Sequence, residues 1–203
     1  MKLYGAPNPA PNPRRVRIFL AEKGIDLPEI PVNMMRGEHK TPEFKAKNSL
    51  GQIPILELDD GTVIAETVSI CRYLEAVYPD KPLFGTSPLE AAQIDMAIRR
   101  IEFQLMTPVG MFWRHAHPYT AKLLTQYKEF GESNRETAER VMTWLDRELE
   151  GHDYMVGNSF SMADIAALTT IDFAAWIGLP MPGGLERLGR WHAAVSARPS
   201  ANA

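Results

Sequence analysis

Glu66 and Thr67 stand just ahead of Ile70, Cys71, Leu74 and Val77, an apolar stripe at helical spacing. An acid and a hydroxyl therefore occupy the start of a helix, where unbonded N–H groups and partial positive charge hold an anion. A second stretch, Leu3 to Arg17, reads LYGAPNPAPNPRRVR and repeats Ala-Pro-Asn-Pro at once. Its prolines leave few conformations to lose on folding. The repeat holds no Ser, Thr, Cys or His, so its polar side chains are Asn8 and Asn12. Asn12, ahead of Pro13, reads as a helix N-cap whose carboxamide can both accept and donate. The single cysteine, Cys71, lies on the apolar stripe and reads as a buried, inert thiol. His115 and His117, two apart on a helix, point to different faces, and no metal site is expected.

The elements that carry these residues follow from local pattern. Residues 2–5 alternate as a strand. A helix runs from Pro13 through Val16, Phe19 and Leu20 towards Gly24. DLPEIPV reads as a second strand, and Thr41-Pro42 as the cap and first turn of a second helix. IPILELDDGTVI is a hairpin about an Asp-Gly turn, and the helix beginning at Glu66 ends before Pro79. The order β-α-β-α-β-β-α gives a first domain over 1–78 and a Pro-rich linker over 79–88. The remainder, 89–203, shows helical patterns at roughly 88–116, 121–149, 161–177 and 185–197, the first kinked within FQLMTPVGMFWRH. In NSFSMADIAAL, Ser161 and Asp164 form a capping box flanked by Phe160 and Ile165, read as structural punctuation.

Hydrophobic residues make up 45% and charged residues 23% of the 203, with a net charge of −3, so nucleic acid and membranes are not expected partners. One cysteine excludes an internal disulfide and suits a reducing cytosol, and no apolar run approaches a membrane span. A cytoplasmic protein is expected.

The element order, GQIPIL entering the third strand, IAETVSICRYL opening the third helix, the Pro-rich linker and SMADIA together resemble the cytosolic glutathione S-transferases over essentially the whole chain. The resemblance implies an α/β thioredoxin-like N-terminal domain that binds glutathione, an all-α C-terminal domain, and a homodimer. Glutathione is then a co-substrate and no cofactor is needed. The Ile53-Pro54 bond is expected to be cis, leaving the Ile53 N–H and C=O to pair with the cysteinyl backbone of glutathione like an added strand. The γ-glutamyl carboxylate falls to Thr67 and its α-amino group to Glu66. His39, Lys40 and Gln52 fall to the glycyl carboxylate and cysteinyl backbone.

The resemblance also exposes a gap. Serine-type members carry their sulfur-binding hydroxyl where this chain has Ala10, and the Ser-Cys pair of maleylacetoacetate isomerases is absent as well. Tyr4 lies within the strand, at a structural position. Asn12 matches the asparagine of a nu-class Thr-Pro-Asn-Gly loop, here Ala-Pro-Asn-Pro, and is the candidate catalytic donor to the sulfur. A thiol of pKa near ~8.5 is mostly protonated at neutral pH, and a helix N-terminus lowers that value. Arg14 and Arg15 add positive potential or are solvated. Phe103, Met106, Phe112 and Trp113 are candidates for the wall of an electrophile pocket. The implied activity is conjugation of glutathione to an electrophile; the alternatives are a glutathione-dependent peroxidase or disulfide reductase, and a non-catalytic glutathione-binding regulator.

Overall fold

The computed structural model describes residues 1–203, which divide into two compact units, 1–82 with 199–203 and 83–198. The first unit is a four-stranded sheet in the order β2-β1-β3-β4 with helices α1, α2 and α3. Strand β1 (Lys2–Gly5) pairs parallel with β2 (Glu29–Pro31) and antiparallel with β3 (Ile55–Glu57), which pairs antiparallel with β4 (Val63–Ala65). Helices α1 (Pro11–Lys23) and α3 (Thr67–Val77) pack together, burying Val16, Phe19, Ile70 and Leu74. Each such side chain contributes about 1.5–3 kcal/mol. Cys71 is fully buried there, and desolvation pushes its thiol far above the ordinary range, so it is inert. α2 (Pro42–Lys47) starts where the Thr41 hydroxyl accepts the Phe44 N–H.

Several expectations are corrected. Asn12 does not cap α1: the helix begins one residue before it, with Ala10 at the N-cap and no side-chain cap. Proline is favoured in the first turn because its missing N–H has no partner there, so Pro11 brings the start forward. The last five residues do not belong with the helical unit. Arg14 Nη2 donates to the Ala201 carbonyl at 2.8 Å and Ser200 bonds Glu22, fixing Pro199–Ala203 against α1. Arg15 is not solvated either, being 2% exposed.

The second unit is built from α4 (Pro88–Arg100), a π-helical turn (Ile101–Met106), α5 (Thr107–His115), α6 (Lys128–Glu148), α7 (Met162–Trp176) and α8 (Glu186–Ser196). The expected kink is the π-helical turn, just ahead of Pro108, whose ring and missing N–H interrupt the i→i−4 ladder. The stretch expected to begin the next helix, from 121, is instead a short 3-10 turn (Pro118–Lys122) before α6. Gly131 lets α6 approach α5, since a Cβ there would stand 2.7 Å from the Ala116 nitrogen.

α7 is buried along nearly its whole length, and its capping box is the hub of this unit. The fully buried Asp164 accepts from the Ser161 N–H, the Ser161 hydroxyl, the Met155 N–H and the Trp191 indole, at 2.8–3.1 Å. Desolvation raises its pKa, and the four donors offset part of that cost. Asp164→Ala strands those donors and should cost about 3 kcal/mol or more, read as a lower urea midpoint.

In the first unit, Glu57 holds β1 and α2 together, accepting from the Tyr4 hydroxyl at 2.8 Å and pairing with Lys47. Lys47 first, then Tyr4, lowers its pKa from 4.5 to about 2. A carboxylate depressed on folding adds stability that is complete above the unfolded pKa and vanishes as pH falls through the folded one. Stability should therefore fall between pH 4.5 and about 2, and Glu57→Gln should flatten that part of the acid denaturation curve.

Candidate functional site

The sheet register gathers the predicted residues at one end of the first unit. Tyr4 and Ala65 both pair with Ile55, the first residue of β3. The C-terminal ends of β1 and β4 therefore flank the N-terminal end of β3, and α1 and α3 start just beyond them. Ile53-Pro54 lies at that end and its peptide bond is cis, as expected. The Ile53 N–H and C=O have no partner within the chain. The preceding carbonyl, of Gln52, accepts from the Asn48 amide at 2.9 Å, while the Gln52 side chain is exposed.

Glu66 sits at the N-cap of α3 with φ 68° and ψ 124°, a conformation that strains any residue with a Cβ. Its carboxylate is exposed and unpaired. The helix then opens with the Thr67, Val68 and Ser69 N–H groups unbonded, the first α-helical bond being Ile70 N–H to the Glu66 carbonyl at 2.9 Å. Three free N–H donors and the positive helix end therefore stand beside the Thr67 side chain.

His39 and Lys40 form a short 3-10 turn (Glu38–Lys40) drawn against the loop before β3. Lys40 Nζ donates to the Leu50 carbonyl at 3.2 Å and the Gly51 carbonyl at 2.7 Å. Gly51, at φ 57°, admits this approach, since a Cβ would stand 2.5 Å from the His39 carbonyl. The His39 Nδ1 is buried without a partner, and desolvation, then the Lys40 charge, lowers its pKa.

Asn12 is the second residue of α1, half-buried, with no hydrogen bond on its side chain or its N–H. Pro11 and Pro13 have no N–H, the Ala10 N–H bonds the Pro7 carbonyl at 3.3 Å, and that of Arg14 bonds Ala10 at 3.4 Å. Asn12 thus holds the one free backbone donor of the first turn. Tyr4, by contrast, is occupied by Glu57, with its ring edge-on to Phe44 and under Lys47.

The sequence pattern missed what shapes the loop. Pro7 to Ala10 make a tight turn around a second cis bond, Asn8-Pro9. Arg17 reaches back from α1 and donates to the Ala6 carbonyl at 2.9 Å and the Asn8 side-chain oxygen at 2.6 Å. Arginine at 17 and asparagine at 8 carried no signal, because their contact depends on the turn between them. The four pocket candidates have different surroundings in the helical unit. Phe103 is exposed, and Met106 lies 3.9 Å from the Thr170 hydroxyl. Phe112 goes to the core beneath the Arg135 guanidinium. Trp113 packs among His117, Tyr119, Phe173 and Trp176.

The same architecture recurs in known proteins. Residues 10–77 match the glutathione S-transferase N-terminal domain and residues 105–199 its C-terminal domain. Glutathione S-transferase 2 of Saccharomyces cerevisiae is 41% identical over 98% of this chain and 87% of its own length. The crystal structure of Gtt2 from Saccharomyces cerevisiae is similar with a TM-score of 0.92 at 40% identity, covering 100% of this chain and 99% of that one. A glutathione S-transferase domain-containing protein of Marinobacter aquaeolei matches with a TM-score of 0.91 at 41% identity, over 98% and 99% of the two chains. The chain belongs to the glutathione S-transferase family. No helix in it is long and apolar enough to cross a membrane.

The strain at Glu66 gives a direct test. Glu66→Gly relieves a positive φ at the cost of a more flexible unfolded chain, and should raise stability by about 1 kcal/mol. Thermal unfolding measures this; a lower midpoint would show that the Glu66 side chain itself supports the fold.

Proposed function

We propose that the chain binds glutathione at this end of the sheet and joins its thiolate to an electrophile. The observation that carries this reading is the pairing of unbonded Ile53 backbone groups with the donor-rich start of α3. An extended peptide can add to the first as a strand, and its carboxylate can enter the second. In this reading Thr67 and the neighbouring N–H groups take the γ-glutamyl carboxylate and Glu66 takes the α-amino group. Gln52, His39 and Lys40 face the glycyl end, where the neutral His39 can donate and Lys40 supplies charge. Lys40 has two carbonyl partners, which leaves it one further N–H.

Sulfur activation falls to the start of α1. The Asn12 N–H and carboxamide are donors without partners, and the positive helix end favours thiolate over thiol. The thiol proton passes to solvent, and the thiolate displaces the leaving group or adds to the double bond of the electrophile. No covalent enzyme intermediate is needed, so the protein contributes pKa adjustment and positioning. Met106 and Trp113 remain candidates for contact with the electrophile. A homodimer in the cytoplasm completes the reading. Its support is an unpartnered stripe on α4 and the π turn, where Leu89, Met96 and Phe103 recur every seventh residue at 70%, 45% and 61% exposure.

Conjugation to an aryl halide tests the activity, with cumene hydroperoxide and a mixed disulfide in parallel. Thr67→Val should weaken glutathione binding about tenfold while the melting temperature holds. Asn12→Ala should raise the bound thiol pKa by about one unit, or about 1.4 kcal/mol, and slow turnover most at low pH. An unchanged thiol pKa removes Asn12 from the mechanism; binding without turnover in all three assays removes the transferase.

A further inference from the structure

The loop that leads into α1 is held by an arginine outside the set assigned to glutathione. Pro7, Pro9, Pro11 and Pro13 have no N–H, so the segment has few backbone bonds with which to fix its own shape. Its turn closes through the Ala10 N–H and the Pro7 carbonyl at 3.3 Å, a long bond, and Pro7, Asn8 and Pro9 are exposed.

Arg17, in the second turn of α1, supplies what the backbone lacks. Its Nη1 donates to the Ala6 carbonyl at 2.9 Å and its Nη2 to the Asn8 side-chain oxygen at 2.6 Å. The two arms of one rigid, planar group therefore hold two points of the loop at once. Nη1 also approaches Glu29 Oε1 of β2 at 3.4 Å, a weaker contact. Gly5, at the end of β1, makes room for that carboxylate, because a Cβ there would collide with it. Ala6 leads into the turn and Asn8 lies within it, while Ala10, which closes it, is the N-cap of α1. A shift of the turn is thus passed to the residue that starts the helix, and Asn12 with its free N–H is two residues further on.

We propose that Arg17 is a positioning residue for sulfur activation: it acts through Asn8 and the turn, and sets where the Asn12 donors stand. The proposal rests on the glutathione reading given above. It separates activation from binding, because Ile53 and Thr67, assigned to the peptide backbone and the γ-glutamyl carboxylate, lie on other elements. Loss of Arg17 should therefore reach the thiol pKa and kcat and leave the KM for glutathione nearly unchanged.

The test compares Arg17→Ala and Asn8→Ala with the wild type, and Asn8→Ala is decisive because it removes a bond to the loop while keeping the cation. In both variants the thiol pKa of bound glutathione should rise by about half a unit, slowing turnover of an aryl halide about threefold at low pH. The KM for glutathione should stay within about twofold. The Ala10 amide should exchange with deuterium about tenfold faster in both, a measurement that needs no glutathione. Glu29→Gln, which touches only the weaker contact, should move neither the thiol pKa nor the exchange rate. Thermal unfolding checks that each variant is folded, and Asn8, being exposed, carries the test if Arg17→Ala does not fold. An unchanged thiol pKa in Asn8→Ala overturns the inference, and a rise in Arg17→Ala alone assigns the effect to the charge of the arginine instead. A wild type that binds no glutathione removes the underlying reading and the inference with it.

Discussion

The first unit depends on the register of β3. Ile55 is fully buried and faces Tyr4 on one side and Ala65 on the other. A slip of one residue would turn every β3 side chain to the opposite face, and that cost fixes the register. Once it is fixed, the cis Ile53-Pro54 bond, the start of α1 and the start of α3 fall at one end of the sheet. The candidate site is therefore a by-product of core packing: free donors and an unpaired backbone meet where strands end and helices begin. Glu66 shows the strain of that meeting, since its positive φ carries the chain from β4 directly into α3.

The duplicated tetrapeptide shows how little a local sequence decides by itself. Ala6-Pro7-Asn8-Pro9 makes a tight turn, whereas Ala10-Pro11-Asn12-Pro13 makes the first turn of a helix. The difference comes from what lies around each copy. Arg17 gathers the first by bonding the Ala6 carbonyl and Asn8. The second leads into Val16, Ile18 and Phe19, whose burial against the core requires helix. The two prolines that start α1 also strip it of N–H groups. What remains is a sparse helix end, in which a single residue offers both a backbone and a side-chain donor.

In the helical unit the organising group is Asp164. A carboxylate with no exposure is tolerable only when its lone pairs are filled, and donors from the 155 loop, the cap of α7 and α8 fill them. That hub ties the loop carrying Met155 and Val156 to α7.

Much of this was legible in the residues alone. Periodicity 2 and 3.6, turn chemistry and caps give the strands, the hairpin, α2 at Thr41-Pro42, and the capping box at Ser161 and Asp164, because all are contacts within a few residues. The order of elements gives the fold class, and the Glu-Thr step at 66–67 marks the start of α3, whose first N–H groups have no partner. Tertiary structure alone decided the rest. It moved the cap of α1 from Asn12 to Ala10 and returned residues 199–203 to the first unit through Arg14. It buried Phe112 and Arg15, and it occupied Tyr4 with Glu57. Each of these depends on a partner distant in sequence, and sequence pattern records spacing along the chain but not which distant side chain will stand opposite.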